Sequence, residues 1–232
     1  MAAPFAVGFD IDHTLAIDNK LERVAFLHVL ERIANDGGSA LGSLADEIER
    51  IDALLSAQRS GAYSIEEAVN RFVSARGVSP DAAYIDGFKR MALEMVDTFI
   101  VPAPDAKRTL DELARHSIPT AVLSNGWNPL QIAKARRAGF GGAVVASGDI
   151  GVQKPNPRAF RALTDALGVD AAHCYYIGDD PAADAIGAES AGLQGVWLDN
   201  EGKVYPADLP PPRRTASSLS EFLHTLPLPL KS

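Results

Sequence analysis

Hydrophobic residues follow two different rhythms along this chain, and the change between them divides the sequence. Residues 5–11, FAVGFDI, begin with a short apolar run that Asp10 brings to an end, and this segment predicts a buried strand. From about residue 19, apolar residues recur at spacings of three and four, which predicts amphipathic helices. This spacing continues to Phe99, and no strand is evident between Asp18 and Ile100. The pattern therefore predicts a block of about four helices after the first strand.

Polar, glycine-containing segments separate the predicted helices of this block. They read NDGGS, RSGAYS and RGVSPD, and residues of these types favour turns because they stabilise non-helical backbone. Ser64 and Ser79 each precede a predicted helix. Because a serine just before a helix commonly caps its first turn, we expect both to be helix caps.

Beyond residue 104 the rhythm changes to an alternation of helices and apolar runs. The runs are TAVLSN, AVVAS, CYYIGD and GVWLD, and a helical segment precedes each of them (Asp105–His116, Pro129–Ala138, Pro157–Leu167 and Pro181–Ala191). This alternation implies βαβ units and a parallel sheet that helices cover on both faces. The sequence thus predicts an α/β core, residues 1–18 and 101–232, interrupted by a helical insert, residues 19–100.

Composition and charge narrow the choice of partners and compartment. A net charge of −8 without a cluster of lysine and arginine argues against nucleic-acid binding. No stretch approaches the roughly 20 apolar residues of a membrane-spanning helix, and the first apolar run ends at Asp10, too soon for a signal peptide. Cys174 is the only cysteine, which excludes an intrachain disulfide; we expect a small buried residue there. We expect a cytoplasmic protein.

Polar residues stand where three of the predicted strands end. They are Asp10 and Asp12, Ser124 and Asn125, and Asp179 and Asp180. Asp10 and Asp12 project in the same direction from an extended segment, because strand side chains alternate with period two. In open parallel sheets, ligands bind beyond the carboxyl ends of the strands. We therefore expect these residues, distant in sequence, to converge on one site.

These residues belong to four short motifs that occur in order along the chain. The motifs are Asp10-Ile-Asp12-His-Thr14, the run AVLSNG with Ser124, Lys154-Pro155, and Gly178-Asp179 continuing to Asp184. In this set the chain resembles the haloacid dehalogenase superfamily, whose members are mostly phosphatases, and the resemblance covers the whole chain. It implies a Rossmann-like, three-layer α/β/α core with an all-helical cap domain inserted between the first and second motifs.

His13 departs from the family pattern, because many members have glycine at this position. We interpret His13 as a turn residue. A second interpretation, in which His13 faces the phosphate or the leaving group, stays open.

Carboxylates crowded at one site repel one another and need a cation. Two like unit charges about 4 Å apart cost about 4 kcal/mol at an effective dielectric constant of about 20. The motifs would bring five such groups together: Asp10, Asp12, Asp179, Asp180 and Asp184. Oxygen ligands that leave room for water molecules suit Mg²⁺, so a magnesium site is predicted.

The resemblance implies a role for each acidic residue. Asp10 attacks phosphorus and forms an aspartyl-phosphate, while Asp12 protonates the leaving oxygen and later activates water. Asp10, the backbone carbonyl of Asp12 and the carboxylate of Asp179 are the implied metal ligands. Asp184 lies behind them, where it orients metal-bound water or the motif lysine, and Asp180 fits either position.

The resemblance also implies which residues bind the phosphoryl group and the rest of the substrate. Ser124, Thr14 and the backbone amide of Asn125 bind phosphoryl oxygens, and Lys154 neutralises the developing charge as part of the catalytic set. In the insert, Arg59 and Tyr63 are candidates to contact the distal end of the substrate, with ordinary loop residues as the alternative. The implied partner is a small phosphorylated metabolite; sugar phosphates, phosphoglycolate and nucleoside monophosphates fit equally, and no oligomeric state is predicted.

Three other functions compete with a magnesium-dependent phosphatase. A 2-haloacid dehalogenase would share the fold and the nucleophile, but such enzymes lack the second aspartate of the first motif. Asp12 therefore favours a phosphatase, because carbon–halogen cleavage needs no proton for the leaving group. A phospho-acceptor signalling domain does not fit the helical insert or the late Gly-Asp-Asp segment. A catalytically silent phosphoryl-binding protein of the same fold is disfavoured by the intact set of motifs.

Overall fold

The computed structural model of this chain describes residues 5–200, 202 and 204–228. The chain divides into two compact units, one formed by Met1–Asp18 with Ile100–Ser232 and the other by Asn19–Phe99. The ends of the predicted core, residues 1–4 and 229–232, lie outside the described residues. No helix in the described part of the chain combines the length and the hydropathy needed to cross a bilayer.

A parallel sheet organises the first unit. In chain order the strands are β1 Ala6–Phe9, β2 Ala16–Asp18, β3 Ile100–Pro102, β4 Thr120–Ser124, β5 Ala143–Ala146, β6 Cys174–Gly178, β7 Gln194–Leu198 and β8 Thr215–Ala216. Six of them lie side by side in the order β5-β4-β1-β6-β7-β8, and every pairing in this sheet is parallel. β2 and β3 pair with each other as an antiparallel ribbon. The sheet confirms the predicted α/β, Rossmann-like class.

Helices fall into two groups, one for each unit. In chain order they are α1 Leu21–Asn35, α2 Leu44–Arg59, α3 Ile65–Ser74, α4 Ala82–Glu94, α5 Val96–Phe99, α6 Ala106–Arg115, α7 Leu130–Arg137, α8 Ser147–Ile150, α9 Pro157–Leu167, α10 Gly187–Ser190 and α11 Leu219–Thr225. The first five form the second unit, and the others accompany the sheet.

Aromatic and aliphatic side chains cover both faces of the sheet. On one face Phe160 of α9 packs edge-on against Tyr176 of β6, with ring centroids 5.2 Å apart, in a buried cluster that includes Leu163. On the opposite face Phe9 of β1 meets Phe222 of α11 at 6.3 Å. Full burial of a large apolar side chain stabilises a fold by roughly 1.5–3 kcal/mol. The continuous apolar runs of the sequence are thus explained by burial on two sides.

The backbone has two features that the sequence analysis did not predict. The helix predicted over Pro181–Ala191 instead begins with a π-helical turn, Pro181–Ile186, before α10. The ribbon of β2 and β3 was not foreseen, because three residues per strand are too few to show a period.

The helix caps of the insert follow the prediction at one position and depart from it at the other. Ser64 Oγ accepts the Glu67 backbone N–H at 3.3 Å and caps α3. At α4 the capping side chain is Asp81, whose carboxylate accepts the Ala83 backbone N–H at 2.8 Å. Ser79 lies two residues too early, since an N-cap side chain reaches only the N–H groups of the following turn.

The second unit has a phenylalanine core and a buried ion pair. Phe26 lies between Phe72 and Phe88, with ring centroids 5.0 and 4.8 Å apart. Close to this core, the guanidinium of Arg76 forms a hydrogen-bonded ion pair with Glu47, and both side chains are almost fully buried. Burial lowers the pKa of Arg76, while hydrogen bonding to Glu47 opposes that shift.

Substitution of Glu47 tests how much this ion pair stabilises the second unit. Glu47→Gln leaves the charge of Arg76 buried and unpaired, so we expect the free energy of unfolding in urea to fall by about 3 kcal/mol. Glu49→Gln is the matched control, because Glu49 lies on the exposed side of the same helix; it should change stability by less than about 0.5 kcal/mol. Equal effects of the two substitutions would contradict the assigned importance of the pair.

Candidate active site

Three neighbouring strands end at the same edge of the sheet and bring the motifs together. β1 lies between β4 and β6, with Phe9 aligned with Val122 on one side and Ile177 on the other. Asp10 directly follows β1, and its backbone N–H donates to the Ile177 carbonyl at 3.0 Å. The end of β4 supplies Ser124, and Asp179 directly follows β6. The convergence expected from the sequence therefore occurs at the carboxyl ends of the central strands.

A buried ammonium group, that of Lys154, forms the centre of this site. Its Nζ donates to Asp10 Oδ1 at 2.6 Å, to Asp184 Oδ1 at 2.7 Å and to the Tyr176 hydroxyl at 2.9 Å. Tyr176 in turn donates to the Leu123 carbonyl at 2.7 Å. Three acceptors match the three N–H donors of an ammonium group, so the lysine is fully satisfied without water.

Burial and charge act against each other at this centre. Burial raises the pKa of Asp10 well above its usual range; the Lys154 ammonium opposes the shift, and the neighbouring aspartates increase it. Burial alone would lower the pKa of Lys154, but the charges of Asp10 and Asp184 raise it well above its usual value. The lysine is therefore held as a cation, and it is the group that favours an ionised Asp10.

The approach of Asp184 to the centre depends on a glycine at the end of β6. Asp184 lies in the π-helical turn, and its Oδ2 accepts the Asp180 backbone N–H at 3.0 Å. A Cβ atom at Gly178 would lie only 2.1 Å from that same oxygen. Any larger residue at position 178 would therefore displace the carboxylate that binds Lys154.

Three of the aspartates could together hold a metal ion. Asp10, Asp179 and Asp184 each offer a carboxylate oxygen, and these oxygens lie within 4.8 Å of one another. A set of oxygen donors alone fits a hard cation such as Mg²⁺. Asp184, which the sequence analysis placed behind the ligands, is thus near enough to be one of them.

Asp180 has a structural task that the sequence left open. Its Oδ1 accepts the backbone N–H groups of Ala182 and Ala183 at 2.9 and 2.8 Å, which caps the π-helical turn, and the residue is exposed. In this arrangement its carboxylate binds the turn, so we interpret Asp180 as a cap.

Asp12 is held by a second lysine, which the sequence analysis did not identify. Lys134 of α7 is fully buried, and its Nζ lies 3.0 Å from Asp12 Oδ1 and 3.2 Å from Asp12 Oδ2. The same Nζ lies 2.6 Å from Asp18 Oδ2. The Asp12 side chain is 28% exposed, so one part of it remains open to solvent.

The end of β4 is connected to α7 and to the Lys154 loop. Ser124 Oγ donates to Gln131 Oε1 of α7 at 3.2 Å. The Asn125 side chain binds the backbone of Lys154 twice: its Oδ1 accepts the Lys154 N–H at 2.8 Å, and its Nδ2 donates to the Lys154 carbonyl at 3.0 Å. Asn125 therefore fixes the position of the lysine through its side chain, beyond the backbone role that the sequence suggested.

The turn after β1 positions Thr14 and His13 differently. Thr14 is fully buried, and its Oγ1 has no hydrogen-bond partner within the described ranges; its contact with a phosphoryl oxygen remains a prediction. His13 has a φ of 59°, in the left-handed region where glycine is favoured, and its carbonyl accepts Asn200 Nδ2 at 2.8 Å. This backbone agrees with a turn residue.

Arg59 belongs to the second unit. It ends α2, and its guanidinium pairs with Glu22 Oε2 of α1 at 3.3 Å. Its contact with a substrate remains a prediction.

Lys134, Gln131 and Tyr176 are the residues of this site that sequence reasoning missed. A weak signal existed for two of them: Lys134 lies four residues after Leu130, on the side of α7 that turns inward, and Gln131 is its neighbour on that side. A polar residue at an apolar helix position indicates a buried partner. Nothing in the sequence indicated a role for Tyr176, because a tyrosine in an apolar strand is commonly an ordinary core residue.

Cys174 agrees with its sequence interpretation. It is fully buried in β6, and burial raises the pKa of its thiol to about 12. A thiol in this state is a poor nucleophile.

Comparison with known proteins defines the family. The family model described as haloacid dehalogenase-like hydrolase matches residues 6–192. This chain belongs to that hydrolase family, and the resemblance found in the sequence is confirmed.

Relatives include both phosphatases and dehalogenases. The chain is 34% identical to phosphoserine phosphatase of Thermus thermophilus over 123 residues, 52% of this chain and 49% of that protein. It is 25% identical to glyceraldehyde 3-phosphate phosphatase of Pyrococcus furiosus over 207 residues, 88% of this chain and 83% of that protein. Other relatives are a phosphoglycolate phosphatase and an (S)-2-haloacid dehalogenase. Three of the curated relatives, phosphoserine phosphatase among them, are matched over only 41–49% of their own length.

A solved structure shares the fold over nearly the whole chain. The crystal structure of a HAD phosphatase from Thermococcus onnurineus is 21% identical and superimposes with a TM-score of 0.71, covering 97% of this chain and 98% of that one. At this level of identity the likeness establishes the architecture only.

Binding of Mg²⁺ to the three-aspartate group predicts a stabilisation that needs no activity assay. At free Mg²⁺ of 100 times the dissociation constant, the free energy of unfolding should rise by about 2.7 kcal/mol, measured by urea denaturation with and without the ion. Asp179→Asn should abolish most of this gain, because it removes a carboxylate ligand. Asp180→Asn is the matched control and should keep the gain, since asparagine caps a helix as well as aspartate. The reverse pattern would overturn the assignment of the metal ligands.

Proposed function

We propose that this chain is a Mg²⁺-dependent phosphatase that hydrolyses a small phosphorylated metabolite through an aspartyl-phosphate. One observation carries the proposal: Asp10 and Asp12, two residues apart, are held by different lysines and have different exposure. Asp10 is buried against Lys154, whereas Asp12 is partly open. Two carboxylates in unequal environments suit the unequal tasks of nucleophile and acid–base group.

In the first step a carboxylate oxygen of Asp10 attacks the phosphorus atom of the ester. The new bond joins this oxygen to phosphorus, and the bond between phosphorus and the leaving oxygen breaks with its electron pair on the leaving oxygen. Asp12, protonated, gives its proton to that oxygen, which departs as an alcohol. The products of this step are the alcohol, an aspartyl-phosphate and ionised Asp12.

In the second step water replaces Asp10 on phosphorus. Asp12 takes one proton from the attacking water, the bond between phosphorus and the Asp10 oxygen breaks, and its electron pair restores the carboxylate. Inorganic phosphate leaves, and Asp12 is again protonated for the next cycle. The partial exposure of Asp12 supports this role, because the residue must reach both a leaving group and a water molecule.

The phosphoryl oxygens need hydrogen-bond donors at the edge of the sheet where Asp10 lies. Ser124 Oγ and the Asn125 backbone N–H lie at the end of β4, and we assign them to this binding. Lys154 neutralises charge, because its ammonium already contacts the attacking carboxylate. Fixed donors of this kind stabilise developing charge most effectively in a site from which water is excluded.

A magnesium ion would balance the negative charges of the site carboxylates and of the phosphoryl group. Asp10, Asp179 and Asp184 would hold the ion, with the Asp12 carbonyl as a further ligand, and the ion would supply positive charge beside the transferred phosphoryl group. Without the ion, the carboxylates of Asp10, Asp179 and Asp184 face the single ammonium group of Lys154 before any phosphate arrives.

The substrate class is a small phosphate ester, and the second unit is the proposed site of its selection. The phosphatase relatives are named for phosphoserine, glyceraldehyde 3-phosphate and phosphoglycolate, all of which are small metabolites. We assign residues 19–99 as the cap domain that sets specificity. Arg59 is the candidate for contact with the distal end of the substrate.

Dehalogenation is the second candidate, since a dehalogenase is among the relatives. Cleavage of a carbon–halogen bond releases a halide that needs no proton. The placement of Asp12 on a buried lysine would then have no purpose in the reaction, so the phosphatase is favoured. A silent binding protein would likewise not need an acid–base residue.

Chelation tests the proposed function directly. Release of inorganic phosphate from an aryl phosphate should stop in EDTA and return on addition of excess Mg²⁺. Full turnover in chelator would refute the role of the metal, and release of chloride from 2-chloropropionate without any phosphatase activity would identify a dehalogenase.

Substitution of the two aspartates should separate their tasks. Asp10→Asn removes the nucleophile, so turnover of every phosphate ester should fall to background. Asp12→Asn should reduce hydrolysis of alkyl phosphates by about 10²–10⁴-fold, the usual contribution of general acid–base catalysis. An aryl phosphate with an acidic phenol needs little protonation, so the Asp12→Asn enzyme should release a burst of phenol and accumulate aspartyl-phosphate, detected by rapid quench. Wild-type rates for Asp12→Asn on both substrates would contradict the mechanism.

A further inference from the structure

Helix α7 contributes a buried cation to the acid–base residue. Lys134 is fully buried, and its Nζ contacts both oxygens of Asp12 and one oxygen of Asp18. We propose that Lys134 is a positioning residue that fixes the orientation of the Asp12 carboxylate. This inference rests on the proposed function, in which Asp12 transfers the protons.

The burial of Lys134 is the first argument. An ammonium group is costly to remove from water, and lysines are almost never fully buried unless they are paired. Arg136 of the same helix is exposed, which shows that a cationic side chain on α7 can reach water, whereas Lys134 is buried. The inward placement of Lys134 therefore depends on its carboxylate partners.

The freedom of Asp12 is the second argument. Within the described residues, the hydrogen bonds that reach the Asp12 carboxylate both come from Lys134. The terminal torsion of an aspartate is broad, so a carboxylate without such a contact samples many orientations. Contact of one ammonium with both oxygens fixes the carboxylate plane. A general acid must lie within hydrogen-bond reach of its target, and misplacement by about 1 Å can cost about 100-fold in rate.

Asp18 explains how the lysine itself is held. Asp18 ends β2, and its Oδ2 lies 2.6 Å from Lys134 Nζ. β2 is fixed by its ribbon with β3, in which Asp18 is aligned with Ile100. The Lys134 ammonium thus links Asp12, in the turn after β1, to Asp18 at the end of β2. The position of Asp12 is therefore set by α7 and the ribbon together.

A double-mutant cycle tests this inference. Lys134→Met removes the ammonium at nearly constant length, and we expect kcat for an aryl phosphate to fall by about 10- to 100-fold with a smaller change in KM. The Lys134→Met enzyme should also release a burst of phenol, because hydrolysis of the aspartyl-phosphate needs a correctly placed Asp12. In the Asp12→Asn background, Lys134→Met should lower kcat by less than about 2-fold, since residues that act as a unit are not additive.

Two further variants separate positioning from stability. Arg136→Met makes the same kind of change on the exposed side of α7 and should leave kcat unchanged. Lys134→Met combined with Asp18→Asn removes the buried carboxylate that the single variant leaves without its lysine. This double variant should fold, as judged by its urea midpoint, and should still show the loss of kcat and the burst.

Each outcome decides the inference. Multiplicative effects of Lys134→Met and Asp12→Asn, or a loss of kcat without a burst, would identify Lys134 as a structural residue and overturn the proposal. Failure of the Lys134→Met, Asp18→Asn variant to fold would have the same meaning. A wild-type chain without phosphatase activity would instead refute the proposed function, which is a separate result from the cycle.

Discussion

The hydrogen bonds of one buried ammonium group hold the candidate active site together. Lys154 binds a carboxylate that follows β1, a carboxylate of the turn after β6 and a hydroxyl within β6, while Asn125 at the end of β4 fixes its backbone. Without this cation the carboxylates of Asp10 and Asp184 would repel each other in a buried place. The placement of Asp10, Asp184, Tyr176 and Asn125 therefore depends on this charge being satisfied.

Each of the two aspartates in the first motif is bound by a different lysine. Lys154 comes from a loop and is matched to the buried Asp10, whereas Lys134 comes from a helix and is matched to the partly exposed Asp12. The same helix supplies Gln131 to Ser124. Helix α7, which contains no motif residue, therefore influences both the phosphoryl-binding hydroxyl and the acid–base group.

Sequence reasoning succeeded where residues act through local pattern and failed where they act through distant partners. The alternating apolar runs predicted the parallel sheet, because strands buried on both faces are continuously apolar. Strand ends predicted the convergence of Asp10, Ser124 and Asp179. The pairing of Lys134 with Asp12 was not predictable, since the residues are far apart in the chain and a lysine in a helix is ordinarily exposed. The π-helical turn was also missed, because helical periodicity does not reveal a wider turn.

The ribbon of β2 and β3 has a consequence for the order in which the chain assembles. β1 pairs with β4, Val7 being aligned with Thr120, so the sheet must close a loop of roughly 110 residues. The ribbon aligns Asp18 with Ile100 and so joins the two ends of the helical unit. If that unit folds first, the loop left to close is only roughly 30 residues, and the entropic cost of closure falls by about 1 kcal/mol. In that case the long insertion between β1 and β4 favours nucleation of the sheet rather than slowing it, because the contacts within the helical unit are local.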